Sequence, residues 1–346
     1  MDKKIEQLLD ILIITYNRAP KLELTFEQIF EDNSPIKNFE ITVIDNNSID
    51  NTALIVQRYQ KKYTNLKYIK NKYNIGGNAN IMKAFLSAKK EYVWILADND
   101  YYNWESWDEV GKAILDKKDA IMVSTYENPT EDIAQFFIQT TFLPGVIYKT
   151  ALLDNNVMGN MAFNIPNMFP HLAVSSKLIN ENKNVFIVKK AIVEVGDNTD
   201  EETGDYKYTR GYSDEKMHPL MRDMNWITGY ANSIHMIQDV KKRNYIATHN
   251  KFYISELNSA KLFFYNEKKS GGNLYNLLSI FCVLNLSNKL RFLLNWFCYY
   301  TFYRILYIYS EYIRPKDRDV YYRQYQIKIF NCIKTKLFKI KIRSQK

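Results

Sequence analysis

Two carboxylates one residue apart, Asp98-Asn99-Asp100, stand directly behind the apolar run Tyr92-Val-Trp-Ile-Leu-Ala97. At positions i and i+2 of an extended backbone they point to the same side and can face one cation. Hard oxygen ligands with open positions suit Mg²⁺ or Mn²⁺ shared with the phosphates of a substrate. An isolated pair of this kind is more often a polar turn after a strand. Its placement raises its standing, because two further polar clusters follow apolar runs: Thr15-Tyr16-Asn17-Arg18 and Asp45-Asn46-Asn47-Ser48-Ile49-Asp50.

Other chemistries lack their parts. There is no GxxxxGK[ST] loop, no GxGxxG after a strand, no HExxH and no GxSxG, and the four histidines (171, 218, 235, 249) are scattered. Cys282, Cys298 and Cys332 are too far apart for a CxxC metal site or a disulfide framework, which fits a reducing compartment. The apolar run Ile11–Ile14 is too short for the core of a secretory signal.

The elements that must position the polar clusters alternate in type. Asp10–Thr15, Glu40–Asp45, Leu66–Lys70, Tyr92–Ala97 and Ala120–Thr125 read as strands. Between them lie an apolar stripe on Leu22, Phe26, Ile29 and Phe30, a helix over Asn51–Tyr63, a helical face on Ile75, Ala79, Met82 and Leu86, and a helix over Trp104–Asp116. This is the pattern of βαβ units with a mostly parallel sheet, Tyr92–Ala97 near its centre and ligands bound beyond the carboxyl ends of its strands.

With 346 residues, 46% hydrophobic and 25% charged, the chain has a globular composition and room for two domains. Its formal charge of +9 is unevenly spread. Residues 1–214 hold 24 Lys+Arg against 30 Asp+Glu, residues 215–313 hold 12 against 6, and residues 314–346 hold 11 against 2. The expected division is therefore a catalytic domain at 1–214 and a helical, basic, aromatic-rich region at 215–346. Phe292–Tyr303 has 12 residues before Arg304, and Ser270–Asn288 is interrupted by Asn, so neither predicts a spanning helix. Apolar and cationic residues interleave through Ile327–Arg343, as in segments that lie on anionic bilayers, so residues 270–346 are expected to meet a membrane surface rather than nucleic acid.

Four segments taken together, Ile11–Arg18, Val43–Thr52, Asn74–Gly77 and Glu91–Asp100, resemble in order and spacing a family 2 glycosyltransferase of the GT-A fold. Asn80 with Tyr92–Leu96 is most similar to the abequosyltransferase-like branch, which builds bacterial surface polysaccharides. The resemblance covers about 100 residues and weakens beyond residue 130. It implies a Rossmann-like catalytic domain that transfers a sugar, with inversion, from a nucleoside diphosphate, most readily UDP, to a hydroxyl of a lipid-linked glycan. The place implied is the cytoplasmic face of the cell membrane.

Carried over by position, Thr15, Tyr16, Asn17 and Arg18 line the nucleotide pocket, with Tyr16 near the base. Asp45 and Asn46 contact base and ribose, Asn74 and Gly76 lie beside the donor, and Asp98 and Asp100 hold Mg²⁺ or Mn²⁺ on the diphosphate. Two departures from the family stand out. Ile81 occupies a position where many relatives carry an Arg for the diphosphate, leaving Arg18 or Lys83 to compensate. The acidic pair that would supply the base is absent, and the chain reads Asn167-Met-Phe-Pro-His171 there. His171 is the candidate base on its ordinary pKa of roughly 6.5, ahead of Asp154, Glu194 and Asp197. The same departures leave open a non-catalytic sugar-nucleotide binder; a nucleotidyltransferase fits less well, since Tyr16–Pro20 lacks the glycines that class needs.

Overall fold

The structure is a computed structural model that describes residues 2–124, 132–166, 168–196, 229–249 and 289–290. A short helix, α1 (Asp2–Leu8), leads into β1 (Leu9–Thr15). Then come α2 (Ala19–Ile29), β2 (Ile41–Asp45), α3 (Thr52–Gln60), β3 (Leu66–Lys70), α4 (Gly77–Ser87) and β4 (Tyr92–Leu96). A two-residue strand, β5 (Tyr101–Tyr102), follows the acidic pair, and α5 (Trp107–Leu115) and β6 (Ala120–Met122) continue the chain. After α6 (Ile133–Gln139) come β7 (Val146–Lys149), α7 (Asn155–Phe163), α8 (Leu172–Asn180), β8 (Val185–Ile187) and β9 (Val193–Glu194).

Seven strands form one sheet in the order β3-β2-β1-β4-β7-β6-β8. β1 pairs in parallel with β2 and β4, and β2 in parallel with β3. β7 runs antiparallel between β4 and β6. Every residue of β2 and β4 is buried, the expected texture of parallel strands covered on both faces. The sheet is therefore mostly parallel with helices on its faces, as the strand–helix alternation requires.

Trp94 on β4 is fully buried, lies 6.1 Å from Trp107 of α5 in a stacked arrangement, and donates its Nε1–H to the Pro144 carbonyl at 2.7 Å. That bond ties the turn Leu143–Gly145 against the central strand; the stretch is a 3₁₀ turn leading into β7.

Among the differences from the sequence expectation, two bear on how the sheet and α4 are built. Val146–Lys149 was not anticipated as a strand; it is a four-residue antiparallel insertion after a Pro-Gly turn, too short for periodicity to register. On α4 the buried residues are Asn80, Ala84 and Phe85, while Leu86 is exposed and Ile75 precedes the helix. The cause is Asn80, whose side-chain amide donates to the Ile44 carbonyl at 3.2 Å and accepts from Asn71 at 2.9 Å, so a polar residue faces the sheet.

The boundary expected at 214/215 lies outside the described residues, as does most of 215–346. Within 229–249, Tyr230, Ala231, Ile234, Ile237, Ile246 and Ala247 share one apolar core with Phe137 and Ile138 of α6 and Leu172 and Ile179 of α8. No helix among the described residues is long and apolar enough to cross a membrane.

Candidate active site

The three polar clusters meet at the carboxyl ends of adjacent strands. Thr15 and Asp45 are register partners at the ends of β1 and β2, and the Asn46 N–H donates to the Thr15 carbonyl at 2.9 Å. Thr15 Oγ1 donates to Asp98 Oδ2 at 2.7 Å, joining β1 to β4. Asn17 and Asn47 turn the chain out of β1 and β2 with φ of 51° and 68°, a left-handed conformation Asn tolerates better than most residues. These loops are stitched together: the Asn17 N–H donates to Ser48 Oγ, the Ile49 N–H to Asn17 Oδ1, each at 2.8 Å, and the Ala19 N–H to Asp50 Oδ2 at 2.9 Å. Tyr16 lies half-buried on the same turn.

Asp45 is fully buried and heavily committed. Its Oδ1 accepts from the Ser48 N–H at 2.8 Å and the Ser48 hydroxyl at 2.6 Å, and its Oδ2 accepts from the Tyr68 hydroxyl. Burial, with the Asp45 charge beside it, pushes the Tyr68 hydroxyl up, so it remains a donor. Asn46 is committed too. Its Oδ1 accepts from the Ile75 N–H and from Asn71, both at 3.0 Å, and its Nδ2 donates to Asn74 Oδ1 at 2.7 Å. Asn74 Oδ1 also takes the Gly76 N–H at 2.9 Å. Gly76 has a φ of 86° at the start of α4, where a side chain would be strained. The residues carried over as nucleotide contacts thus hold one another in the conformation observed, with Asn46 locking the loop that opens α4.

The acidic pair is asymmetric. Asp98 is buried with both oxygens engaged, Oδ2 by Thr15 and Oδ1 by Arg18 Nη1 at 2.8 Å. Asp100, 2% exposed, accepts the Gly196 N–H on Oδ1 at 3.2 Å, while its Oδ2 is buried without a partner. Burial, reinforced by the Asp98 charge, pushes the Asp100 carboxyl up to about 7 against the pull of the Gly196 N–H and Arg18. An orphaned carboxylate oxygen is a costly thing to bury, and a hard cation is the partner its chemistry calls for. The acidic pair therefore fits Mg²⁺ or Mn²⁺. Among the described residues no three His, Cys, Asp or Glu gather, so such an ion would take its other ligands from substrate and water.

Gln28 on α2 brackets this loop, its Nε2 donating to the Asp100 carbonyl and its Oε1 accepting from the Tyr102 N–H, each at 3.1 Å. On the other side β9 pairs with β5, and Gly196 presses on the acidic turn so closely that an added Cβ would sit 1.5 Å from the Asn99 carbonyl oxygen. Neither Gln28 nor Gly196 was foreseen as a site residue. A lone Gly after the run Ile192–Val195 is the sequence signal for a close backbone approach; Gln28 carries no signal.

His171 precedes α8 and is 2% exposed. Its Nε2 lies 3.1 Å from the Thr141 carbonyl, an acceptor, so that nitrogen carries the proton and the lone pair is on Nδ1, which is buried without a partner. Burial lowers its pKa to about 4. The folded protein therefore refuses a proton that the unfolded chain takes below about 6.5, and stability drains away as pH falls from 6.5 towards 4, by up to roughly 3 kcal/mol. Urea midpoints across that window should fall more steeply for wild type than for His171→Gln; parallel curves would contradict this assignment.

The other base candidates are placed differently. Asp154 caps α7 by accepting the Val157 N–H at 2.9 Å and pairs with Lys177. Glu194 is exposed on β9 opposite Tyr101. Asp197 lies outside the described residues.

A sheet of this order, with acidic, hydroxyl and amide side chains at the carboxyl ends of β1, β2 and β4, defines an α/β protein whose polar strand ends lie where such sheets bind their ligands. Residues 10–174 match the family model described as Glycosyl transferase family 2, and this stretch is a family 2 glycosyltransferase domain. Over 164 residues (43% of this chain, 26% of the other) the chain is 26% identical to a poly(ribitol-phosphate) beta-glucosyltransferase of Bacillus spizizenii. Over 93 residues (27% and 29%) it is 37% identical to a GalNAc(5)-diNAcBac-PP-undecaprenol beta-1,3-glucosyltransferase of Campylobacter jejuni. The similarity thus spans less than a third of those relatives' own lengths. In three dimensions the chain is similar to residues 1–349 of S. aureus TarS in complex with UDP-GlcNAc, with a TM-score of 0.52, 17% identity, and 80% of this chain and 79% of that chain covered. That likeness shows the GT-A-type fold.

Proposed function

We propose that the protein is an inverting, metal-dependent glycosyltransferase that moves a sugar from a nucleoside diphosphate, UDP foremost, to a hydroxyl of a lipid-linked glycan destined for a bacterial surface polysaccharide. The observation that carries the reading is the convergence of three strand ends on Asp98 and Asp100, with a buried carboxylate oxygen left open. Asp100, with Asp98 beside it, would hold the divalent ion, which supplies Lewis-acid charge to the departing diphosphate. Thr15 and Arg18 fix Asp98, and Gly196 and Gln28 fix the turn that carries Asp100, so the site is held before substrate arrives.

His171 is the base in this proposal. Its proton is parked on Nε2 by the Thr141 carbonyl, and its Nδ1 lone pair is unprotonated at neutral pH. The names of the relatives, which act on poly(ribitol-phosphate) and on an undecaprenol-linked glycan, support a polymer or lipid-linked acceptor. Kinship with the abequosyltransferase-like branch rests on Asn80 and Tyr92–Leu96, and Asn80 is the buried amide that ties α4 to β2. The basic tail, residues 270–346, would bring the domain to the inner face of the membrane as a peripheral protein. The non-catalytic alternative draws on Ile81, which packs against an apolar core and leaves no cation at that position.

The test is a thermal-shift series with UDP-, GDP-, dTDP- and CDP-sugars, each with and without Mn²⁺. One nucleotide should raise the melting temperature in a Mn²⁺-dependent way, following RT ln(1 + [L]/Kd). The double variant Asp98→Ala/Asp100→Ala should lose both that shift and transfer. Undiminished turnover in the double variant would remove the metal role, and binding with neither transfer nor donor hydrolysis would favour the non-catalytic reading.

A further inference from the structure

The negative charge of Asp98 is balanced within the protein. Arg18 Nη1 donates to Asp98 Oδ1 at 2.8 Å and to Asn99 Oδ1 at 3.2 Å, while the Arg18 side chain stays one-third exposed and Asp98 is almost wholly buried. Lys83, the other cation weighed for the diphosphate, and Lys70 on β3 are spoken for elsewhere. Lys83 Nζ donates to Asn71 Oδ1, on a buried amide, and Lys70 Nζ donates to the Ser48 carbonyl at 2.7 Å. Ile81 packs among apolar side chains. Among the described residues Arg18 is therefore the cation placed on the acidic pair.

A guanidinium in that place competes with any metal ion for Asp98, since a second cation against the same carboxylate meets like-charge repulsion. It is also the side chain whose planar fork best matches phosphate oxygens. We propose that Arg18 is a resident counter-ion of the donor site: it neutralises Asp98 while the site is empty and passes to the diphosphate when nucleotide and divalent ion arrive together. This rests on the glycosyltransferase reading of the site and deepens it. Free metal then binds poorly, because Arg18 already occupies Asp98. Nucleotide relieves the competition by giving Arg18 a new partner, so each ligand strengthens the other.

The experiment uses the full chain as wild type, Arg18→Gln and Arg18→Lys. Mn²⁺ binding without nucleotide is read by electron paramagnetic resonance, and UDP binding in saturating Mn²⁺ by calorimetry, with melting temperatures alongside. Gln removes the charge and keeps an amide donor on a shorter side chain. Arg18→Gln should bind free Mn²⁺ about tenfold more tightly, the size expected for deleting an adjacent opposite charge, and UDP–Mn²⁺ about tenfold more weakly. Arg18→Lys should stay near wild type for free Mn²⁺ and lose part of the UDP affinity.

Unchanged Mn²⁺ affinity in Arg18→Gln would overturn the proposal, as would unchanged UDP affinity. Equal weakening of both, with a lowered melting temperature, would make Arg18 merely structural and overturn it too. A wild type that binds none of UDP, GDP, dTDP or CDP with Mn²⁺ would bring down the reading of the site and this inference with it. A wild type that binds UDP beside an Arg18→Gln variant indistinguishable from it would bring down the inference alone.

Discussion

Gly196→Ala should lower sugar transfer by at least a hundredfold while leaving the nucleotide-side loops folded. The added Cβ would stand 1.5 Å from the Asn99 carbonyl oxygen and 2.5 Å from its carbon, and both are backbone atoms that cannot rotate aside. Either the β9 strap lifts away, losing the 3.2 Å bond from the Gly196 N–H to Asp100 Oδ1, or the acidic turn is displaced. The overpacking costs about 1–3 kcal/mol, and the lost hydrogen bond to a charged acceptor about 1.5–3 kcal/mol. Gly159→Ala is the control. That glycine lies exposed in α7 with nothing within 4 Å of an added Cβ, so alanine there should stabilise by about 0.5–1 kcal/mol. Melting temperature and Mn²⁺ affinity measured on both variants decide the matter; a Gly196→Ala protein with wild-type Mn²⁺ affinity and turnover would refute the strap's role.

Asp100→Asn should abolish transfer and yet make the metal-free protein more stable at pH 8. In the fold the Asp100 carboxyl titrates at about 7, above its ordinary 3.8, chiefly because it is buried. The native state therefore binds a proton between about pH 4 and 7 that the unfolded chain has released, and stability falls as pH rises through that window. Above 7 the full cost of the buried charge stands. Asn carries no charge and can still accept the Gly196 N–H, at the expense of an unpartnered amide N–H. A net gain of about 1–3 kcal/mol is expected at pH 8, shrinking towards pH 4.

Mn²⁺ together with nucleotide should then stabilise wild type and leave the variant unmoved. The His171 slope runs the opposite way, so wild type alone can look flat, and differences between wild type and each variant isolate the two groups. Parallel stability–pH profiles for wild type and Asp100→Asn would contradict the burial-driven shift.

β1, β2 and β4 were readable because parallel strands covered on both faces become largely apolar runs, as in Tyr92–Leu96 and Ile41–Asp45. Their carboxyl ends were readable for the same reason: each run stops abruptly at Thr15, Asp45 or Asp98. The antiparallel β7 escaped because four residues carry no usable period. The face of α4 was misjudged because Asn80 counts as polar, while burial is decided by whether partners exist; Ile44 and Asn71 supply them.

The second layer of the site depended on register and loop geometry. Ser48 could be placed near Asp45, since a hydroxyl three residues on closes a turn upon the carboxylate. Tyr68 reaches Asp45 only once β3 aligns with β2, and Gly196 reaches Asp100 only once β9 returns across ninety-odd residues. Charge alone left Arg18 and Lys83 as equal candidates for the diphosphate, and their hydrogen-bond partners separate them.

The central claim is that a divalent ion on Asp100 and Asp98 meets the diphosphate at the ends of β1, β2 and β4. Its most direct test is a crystal grown with UDP and Mn²⁺ and measured at the manganese absorption edge. The anomalous peak should lie within bonding distance of the open oxygen of Asp100 and of a phosphate oxygen, with the nucleotide seated over Thr15 and Asp45. A nucleotide bound elsewhere, or bound there with no ion between its phosphates and Asp100, would contradict the account.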